Sequence, residues 1–131
     1  MNVCFDIDGT ITAHPEFFRL LSHAVRKSGG EVFIVTSRTR TIETKRATRK
    51  ELSELGIIYS HLYILRDQIE AERICPFSNF DWYQKFLFQK LVYCKANHVD
   101  IYFDDETKVI ELFKQFLPEV QVFQVHPKGV V

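Results

Sequence analysis

Asp6 and Asp8, with one residue between them in "VCFDIDGT" (3–10), close an apolar run and precede a Gly-Thr turn. Asp is a poor strand residue, and two carboxylates this close repel unless a cation holds them. A second acidic pair, Asp104 and Asp105 in "IYFDDE", follows another apolar run. Between the pairs, "FIVTSR" ends in Thr36, Ser37 and Arg38, and "HLYILRD" ends in Arg66 and Asp67. Carboxylates gathered from separate segments can hold Mg²⁺ through oxygen ligands, with water and phosphate oxygens completing the octahedron. The metal would offset their repulsion. One carboxylate can then attack phosphorus to form an aspartyl-phosphate, and a second can protonate the leaving oxygen and later activate water. The small Gly9 turn with its neighbouring backbone N–H groups suits close approach of an anion. The chemistry these residues suit is phosphoryl transfer.

Convergence needs elements that bring these segments to one edge. "NVCFDI", "EVFIVTS" (31–37), "HLYILRD" (61–67), "VDIYFDD" (99–105) and "VQVFQV" (120–125) read as strands. Helical patterns alternate with them. One starts at Pro15 and closes at Gly29-Gly30, one ends at Gly56, one is "FDWYQKFLFQKLVYCKAN" behind a cap at Ser78, and one is "TKVIELFKQF". The alternation predicts an α/β fold: a Rossmann-like parallel five-stranded sheet with helices on both faces, as one domain over residues 1–131. Near-continuous apolar strands fit burial on both sides. In such sheets ligands bind beyond the carboxyl ends of the strands, where all the residues above fall. Only residues 11–14 separate the Gly-Thr turn from the first helix, and the stretch after strand three reads as a polar loop, so neither leaves room for a cap domain.

Composition narrows the partners. Seventeen acidic and seventeen basic side chains give a formal net charge of zero, so bulk electrostatics make no case for nucleic acid or membrane. Three cysteines without a CxxC pair fit free thiols in a reducing compartment. The sequence shows neither a signal-peptide pattern nor an apolar run long enough to span a membrane, which points to the cytoplasm. The basic second helix, with Arg40, Lys45, Arg46, Arg49 and Lys50, reads as a solvated face, or as a patch guiding a phosphate-rich substrate. Trp82, Tyr83, Phe86, Leu87, Leu91 and Cys94 recur at helical spacing and read as core or as a homodimer surface, with base stacking the lesser use. His14 reads as a neighbour of the first helix cap.

"FDIDGT", the hydroxyl in "FIVTSR", a lysine upstream of strand four and "YFDDE" resemble, in order, the four motifs of haloacid dehalogenase (HAD) superfamily phosphatases. The resemblance implies Asp6 as nucleophile, Asp8 as acid and base, and Thr36 as a phosphate-binding hydroxyl. It further implies Mg²⁺ held by Asp6, Asp104 and Asp105 with the backbone carbonyl of Asp8. Gly9, Thr10, Ser37, Arg38 and Arg66 would line the phosphate. The stretch from "DWYQK" to "QVFQV" is similar to the phosphatase domain of bacteriophage polynucleotide kinase, whose motif lysine lies far upstream of the acidic pair. That spacing favours Lys85. Small nucleotidases of the superfamily have the shorter spacing that Lys90 would give. Glu106 stands where the phage enzyme has an arginine, which counts against a polynucleotide. The expected substrate is therefore a nucleotide, another small phosphorylated molecule, or a nucleic-acid end. A receiver domain of two-component signalling would carry its adjacent acidic pair after strand one. A non-catalytic module of the same fold is the other alternative.

Overall fold

The computed structural model describes residues 1–127. Five strands, β1 Asn2–Phe5, β2 Glu31–Thr36, β3 His61–Ile64, β4 Ile101–Asp104 and β5 Gln121–Gln124, form one sheet in the order β3-β2-β1-β4-β5. All neighbours are parallel. The order reverses between β1 and β4, so a crevice opens beyond their carboxyl ends. Backbone pairing runs past the strand ends. The Asp6 N–H donates to the Phe103 carbonyl at 3.0 Å, and the Leu65 N–H to the Thr36 carbonyl at 2.9 Å. Asp6, Thr36 and Asp104 are thereby held level on one rim.

Alternate strand residues face opposite layers. Val3, Phe5, Val32 and Ile34 pack under α1 (Pro15–Lys27) and α2 (Ile42–Glu54), around Phe18, Val25 and Leu52. Cys4, Phe33, Val35 and Tyr102 pack against the other layer, α3 (Gln68–Ile74), α4 (Trp82–Ala96) and α5 (Thr107–Phe116). Each large apolar side chain fully buried this way contributes about 1.5–3 kcal/mol. The expected Rossmann-like α/β sheet is what forms, and no large cap domain stands over it among the described residues. The three cysteines are buried and unpaired.

Two features differ from the sequence expectation. The stretch after β3 is not all loop: α3 forms there because the Asp67 carboxylate accepts from the Glu70 N–H at 3.1 Å and caps it. The helix then stops at Cys75-Pro76. Next, α4 starts at Trp82 rather than behind Ser78. Asp81 is its cap, and with Gln84 it makes the reciprocal pair of bonds of a capping box. The six residues from Pro76 to Asp81 are turn and irregular chain.

Gln89 fastens α4 to the rim. Its Oε1 accepts from the Arg66 N–H at 2.8 Å, and its Nε2 donates to the Arg66 and Phe86 carbonyls at 3.0 and 3.1 Å. The side chain is 1% exposed. Gln89→Leu should strand the Arg66 peptide groups and cost about 1–3 kcal/mol. Urea denaturation would show a lower midpoint at unchanged slope; an unchanged midpoint would mean that the clamp contributes nothing.

Candidate active site

Asp6 follows β1 and Asp104 ends β4, the two central neighbours at the switch point. Their carboxylates are buried, and half-buried Asp105 joins them, one oxygen from each lying within 4.8 Å of the others. The Lys90 ammonium is buried between two of them, donating to Asp6 Oδ1 at 3.1 Å and to Asp104 Oδ2 at 2.8 Å. The Tyr102 hydroxyl also donates to Asp104 Oδ2, and the Glu106 N–H donates to Oδ1 at 2.9 Å. The buried Thr10 hydroxyl donates to Asp6 Oδ2 at 3.1 Å.

Gly9 sets how closely the turn after β1 approaches the acids. Its φ is +79°, and a Cβ there would lie 2.2 Å from Asp105 Oδ2. Only glycine satisfies both the left-handed backbone and the close carboxylate.

One ammonium facing three carboxylates leaves an excess of negative charge. Burial pushes the Asp6 carboxyl up to about 8, against the pull of Lys90, and Asp104 adds to the rise. Burial alone would lower the Lys90 ammonium, but Asp6 and Asp104 outweigh it and hold it above its ordinary value. Burial also raises Asp105. An all-oxygen cluster with surplus negative charge fits a hard divalent cation, and Asp6, Asp104 and Asp105 could hold one.

Asp8 lives in a different environment. Its carboxylate is outside the cluster of three and is gripped by Arg38, Nε to Oδ2 at 2.9 Å and NH2 to Oδ1 at 2.8 Å. The hydrogen bonds from Arg38 hold the Asp8 carboxyl below its ordinary range. Arg38 is itself fixed from α2, donating to Glu51 Oε1 at 2.7 Å and to the buried Thr48 hydroxyl at 3.1 Å. Of Asp8, only the backbone carbonyl remains for the metal role that the resemblance implies.

The remaining expected residues divide. A cleft of about 130 Å³ is lined by Asp6, Asp8, Ser37, Lys90, Asp104 and Asp105, and closed by Tyr83, Leu87 and Glu106. Thr36 is buried beneath, its hydroxyl accepting from the Arg38 N–H at 3.2 Å. Arg66 is exposed and lines a neighbouring groove with Ser37 and Arg38. Lys85, the favoured lysine, makes no ion pair among the described residues; the structure puts Lys90 at the carboxylates instead. Lys85 is in the first turn of α4, whereas Lys90 shares the inward face with Leu87, Leu91 and Cys94. A lysine on an apolar helical stripe was the signal for it. Tyr83 and Glu106 were not expected at the cleft. Tyr83 sits under the Lys108 ammonium, 5.3 Å from its ring centre, and Glu106 caps α5. Trp82 is 66% exposed rather than packed in the core. His14 does not line the cleft; its Nε2 bonds the His126 carbonyl at 2.7 Å.

No protein-family model and no curated protein matches this chain. Solved structures do. A chain of the Pnkp1/Rnl/Hen1 complex superposes with a TM-score of 0.67 at 16% identity, over 98% of this chain and 47% of that one. A chain of the Pnkp1/Rnl/Hen1 RNA repair complex gives 0.68 at 16%, over 98% and 43%. Identity this low shows a shared fold, and the present chain spans less than half the length of either match.

Two expectations test the electrostatics. Lys90→Met leaves two buried carboxylates without their cation and should cost about 3–5 kcal/mol, while Lys85→Met should stay within about 0.5 kcal/mol. A carboxyl raised in the folded state withdraws stability as pH rises through its folded pKa. The Lys90→Met deficit should therefore be largest above about pH 8 and shrink toward about pH 4, measured by urea denaturation at each pH. Divalent cation should raise the melting temperature of the wild type. With Mg²⁺ the rise should be greater near pH 9 than near pH 6, because Asp6 must first lose its proton. A pH-independent rise would place the ion elsewhere.

Proposed function

We infer that this chain is a Mg²⁺-dependent phosphomonoester hydrolase of the HAD type. The observation that supports it most is Asp6, buried beside Lys90, Asp104 and Asp105 at the switch point of the sheet. Mg²⁺ held by Asp6, Asp104, Asp105 and the Asp8 carbonyl would supply charge stabilisation for the transferring phosphoryl group.

The chain's own residues do the rest. The Asp6 carboxylate attacks phosphorus in line, forming an aspartyl-phosphate as the ester P–O bond breaks. Lys90 pulls Asp6 toward its ionised form, which the bound cation would complete, and offsets charge as it develops. An entering phosphate dianion competes with Asp8 for the Arg38 guanidinium, with Ser37, Gly9 and Thr10 beside it. Release from Arg38 removes what keeps Asp8 ionised, so Asp8 can carry a proton to the leaving oxygen. Ionised again, it takes a proton from the water that cleaves the aspartyl-phosphate, returning Asp6 and inorganic phosphate.

Among the described residues no cap domain covers the rim, which suits a substrate larger than the phosphate itself. One matched structure is an RNA repair complex, and that supports a nucleic-acid end among nucleotides and small phosphometabolites as substrates. A receiver domain would have its phosphorylated Asp at the end of β3, where this chain has Arg66 and Asp67.

The test is turnover of phosphomonoesters, including nitrophenyl phosphate, mononucleotides and an end-phosphorylated oligonucleotide, with and without Mg²⁺. Wild type should release phosphate only with Mg²⁺, and Asp6→Asn should reduce release by at least about 10³-fold without lowering thermal stability. Release undiminished in Asp6→Asn would remove Asp6 as nucleophile. No release from any ester would favour the non-catalytic module.

A further inference from the structure

Beyond the cleft, one segment of this neutral chain is strongly basic. From residue 38 to 50 there are six cations, Arg38, Arg40, Lys45, Arg46, Arg49 and Lys50, against the single carboxylate Glu43. Two depressions carry part of this charge away from the acids. The first, about 340 Å³, shares Ser37 with the catalytic cleft and is lined by Arg38, Arg40, Arg66 and Phe86. Its one acid, Asp67, is engaged in capping α3. The second, about 280 Å³, shares Arg40 with the first and lies against the outer edge of β3, between Lys45, Ile42 and Tyr63. No carboxylate lines it. The run thus leads from the β1 end over β2 to β3, two strand spacings or roughly 10 Å.

The second pocket is organised around a fixed cation. The Arg40 guanidinium donates to the Ile64 carbonyl and lies 5.6 Å over the Tyr63 ring, which is itself stacked on Tyr93 at 4.6 Å. Lys45 makes no ion pair or side-chain hydrogen bond among the described residues. Ile42 is 69% exposed on the pocket wall, an apolar surface beside two cations. Cations on a groove with apolar and aromatic walls match a single nucleic-acid strand, whose backbone needs charge and whose bases need a face to lie on.

We propose that the Arg40–Lys45–Tyr63 pocket is a second subsite, taking an internal phosphodiester and its base of a single-stranded nucleic acid whose terminal phosphate occupies the Asp6 cleft. The assignment rests on the phosphomonoesterase reading for what sits at Asp6, but the pocket's own affinity for a strand can be measured without turnover. It also predicts a division of labour. Arg38 and Arg66 face the end being processed, whereas Arg40 and Lys45 touch only substrates that extend past it. A small ester never reaches them.

The experiment compares wild type with Lys45→Gln and Arg40→Gln. Binding of a fluorescein-labelled, end-phosphorylated single-stranded oligonucleotide is followed by anisotropy over a range of salt. Hydrolysis of that oligonucleotide and of nitrophenyl phosphate is followed in parallel. Each variant should weaken oligonucleotide binding about 5–10-fold and lower the salt slope by about one. KM should rise similarly for the oligonucleotide and stay unchanged for nitrophenyl phosphate. Because Arg40 also guards the sheet edge through Ile64, melting temperatures accompany both variants, and Lys45→Gln carries the test if Arg40→Gln is unstable. Oligonucleotide affinity and salt slope unchanged in Lys45→Gln would overturn the subsite while leaving phosphomonoester turnover intact. Oligonucleotide binding that depends on Lys45 without turnover of any ester would retain the subsite and sink the hydrolase.

Discussion

A single buried ammonium holds the centre of this protein together. Lys90 lies between Asp6 and Asp104, and through them it joins α4 to the two central strands. Removing two carboxylates and an ammonium from water costs several kcal/mol per ion, repaid only when each partner is well bonded. Here each is: Tyr102 and the Glu106 N–H complete Asp104, and Thr10 completes Asp6. The arrangement does not close its own charge, because Asp105 adds a third carboxylate to one cation. A purely structural salt bridge would gain from dropping that third acid. Keeping it leaves the cluster poised for a divalent ion.

Asp6 and Asp8 are chemically identical and two residues apart, yet they are driven in opposite directions. Burial raises one, and the guanidinium of Arg38 lowers the other. The roles proposed for them need both shifts relaxed: a divalent ion on Asp6 would favour its ionised form, and a phosphate drawing Arg38 away would let Asp8 take up a proton. The strand makes this separation inexpensive. Asp6 stays in register with the sheet, and the left-handed Gly9 turns the chain immediately after Asp8, leaving Asp8 at the surface.

Much of this was legible in the sequence. Near-continuous apolar runs alternating with helical patterns set the strands, and the carboxyl-end rule brought Asp6, Asp104 and Asp105 to one rim before any coordinates. The choice of lysine was not, because it rested on distance along the chain from Asp104 when the deciding quantity was angular position on α4. Lys90 shares a face with Leu87, Leu91 and Cys94; Lys85 does not. Placing the helix cap at Ser78 instead of Asp81 compounded the error by setting Lys85 deeper in the helix than it is. The seven-residue α3 escaped because so short a segment carries little periodicity, although Asp67 and Glu70 have capping spacing. The grip of Arg38 on Asp8 depends on Glu51 and Thr48 across α2, a contact that no local pattern encodes.

The central position of β1 has a consequence for how the chain is made. Asn2–Phe5 is made before the other four strands, but one of its edges is covered only when β4 arrives, and Asp6 meets Lys90 across a separation of 84 residues. Until then a half-made sheet exposes an apolar strand edge, the kind that pairs with other chains. The lone carboxylate at its end is a provisional guard: while unpaired it resists burial, and it becomes buriable only when its cation is delivered. Non-local closure of this sort is slow to form, so assembly of the site should coincide with the last step of sheet completion.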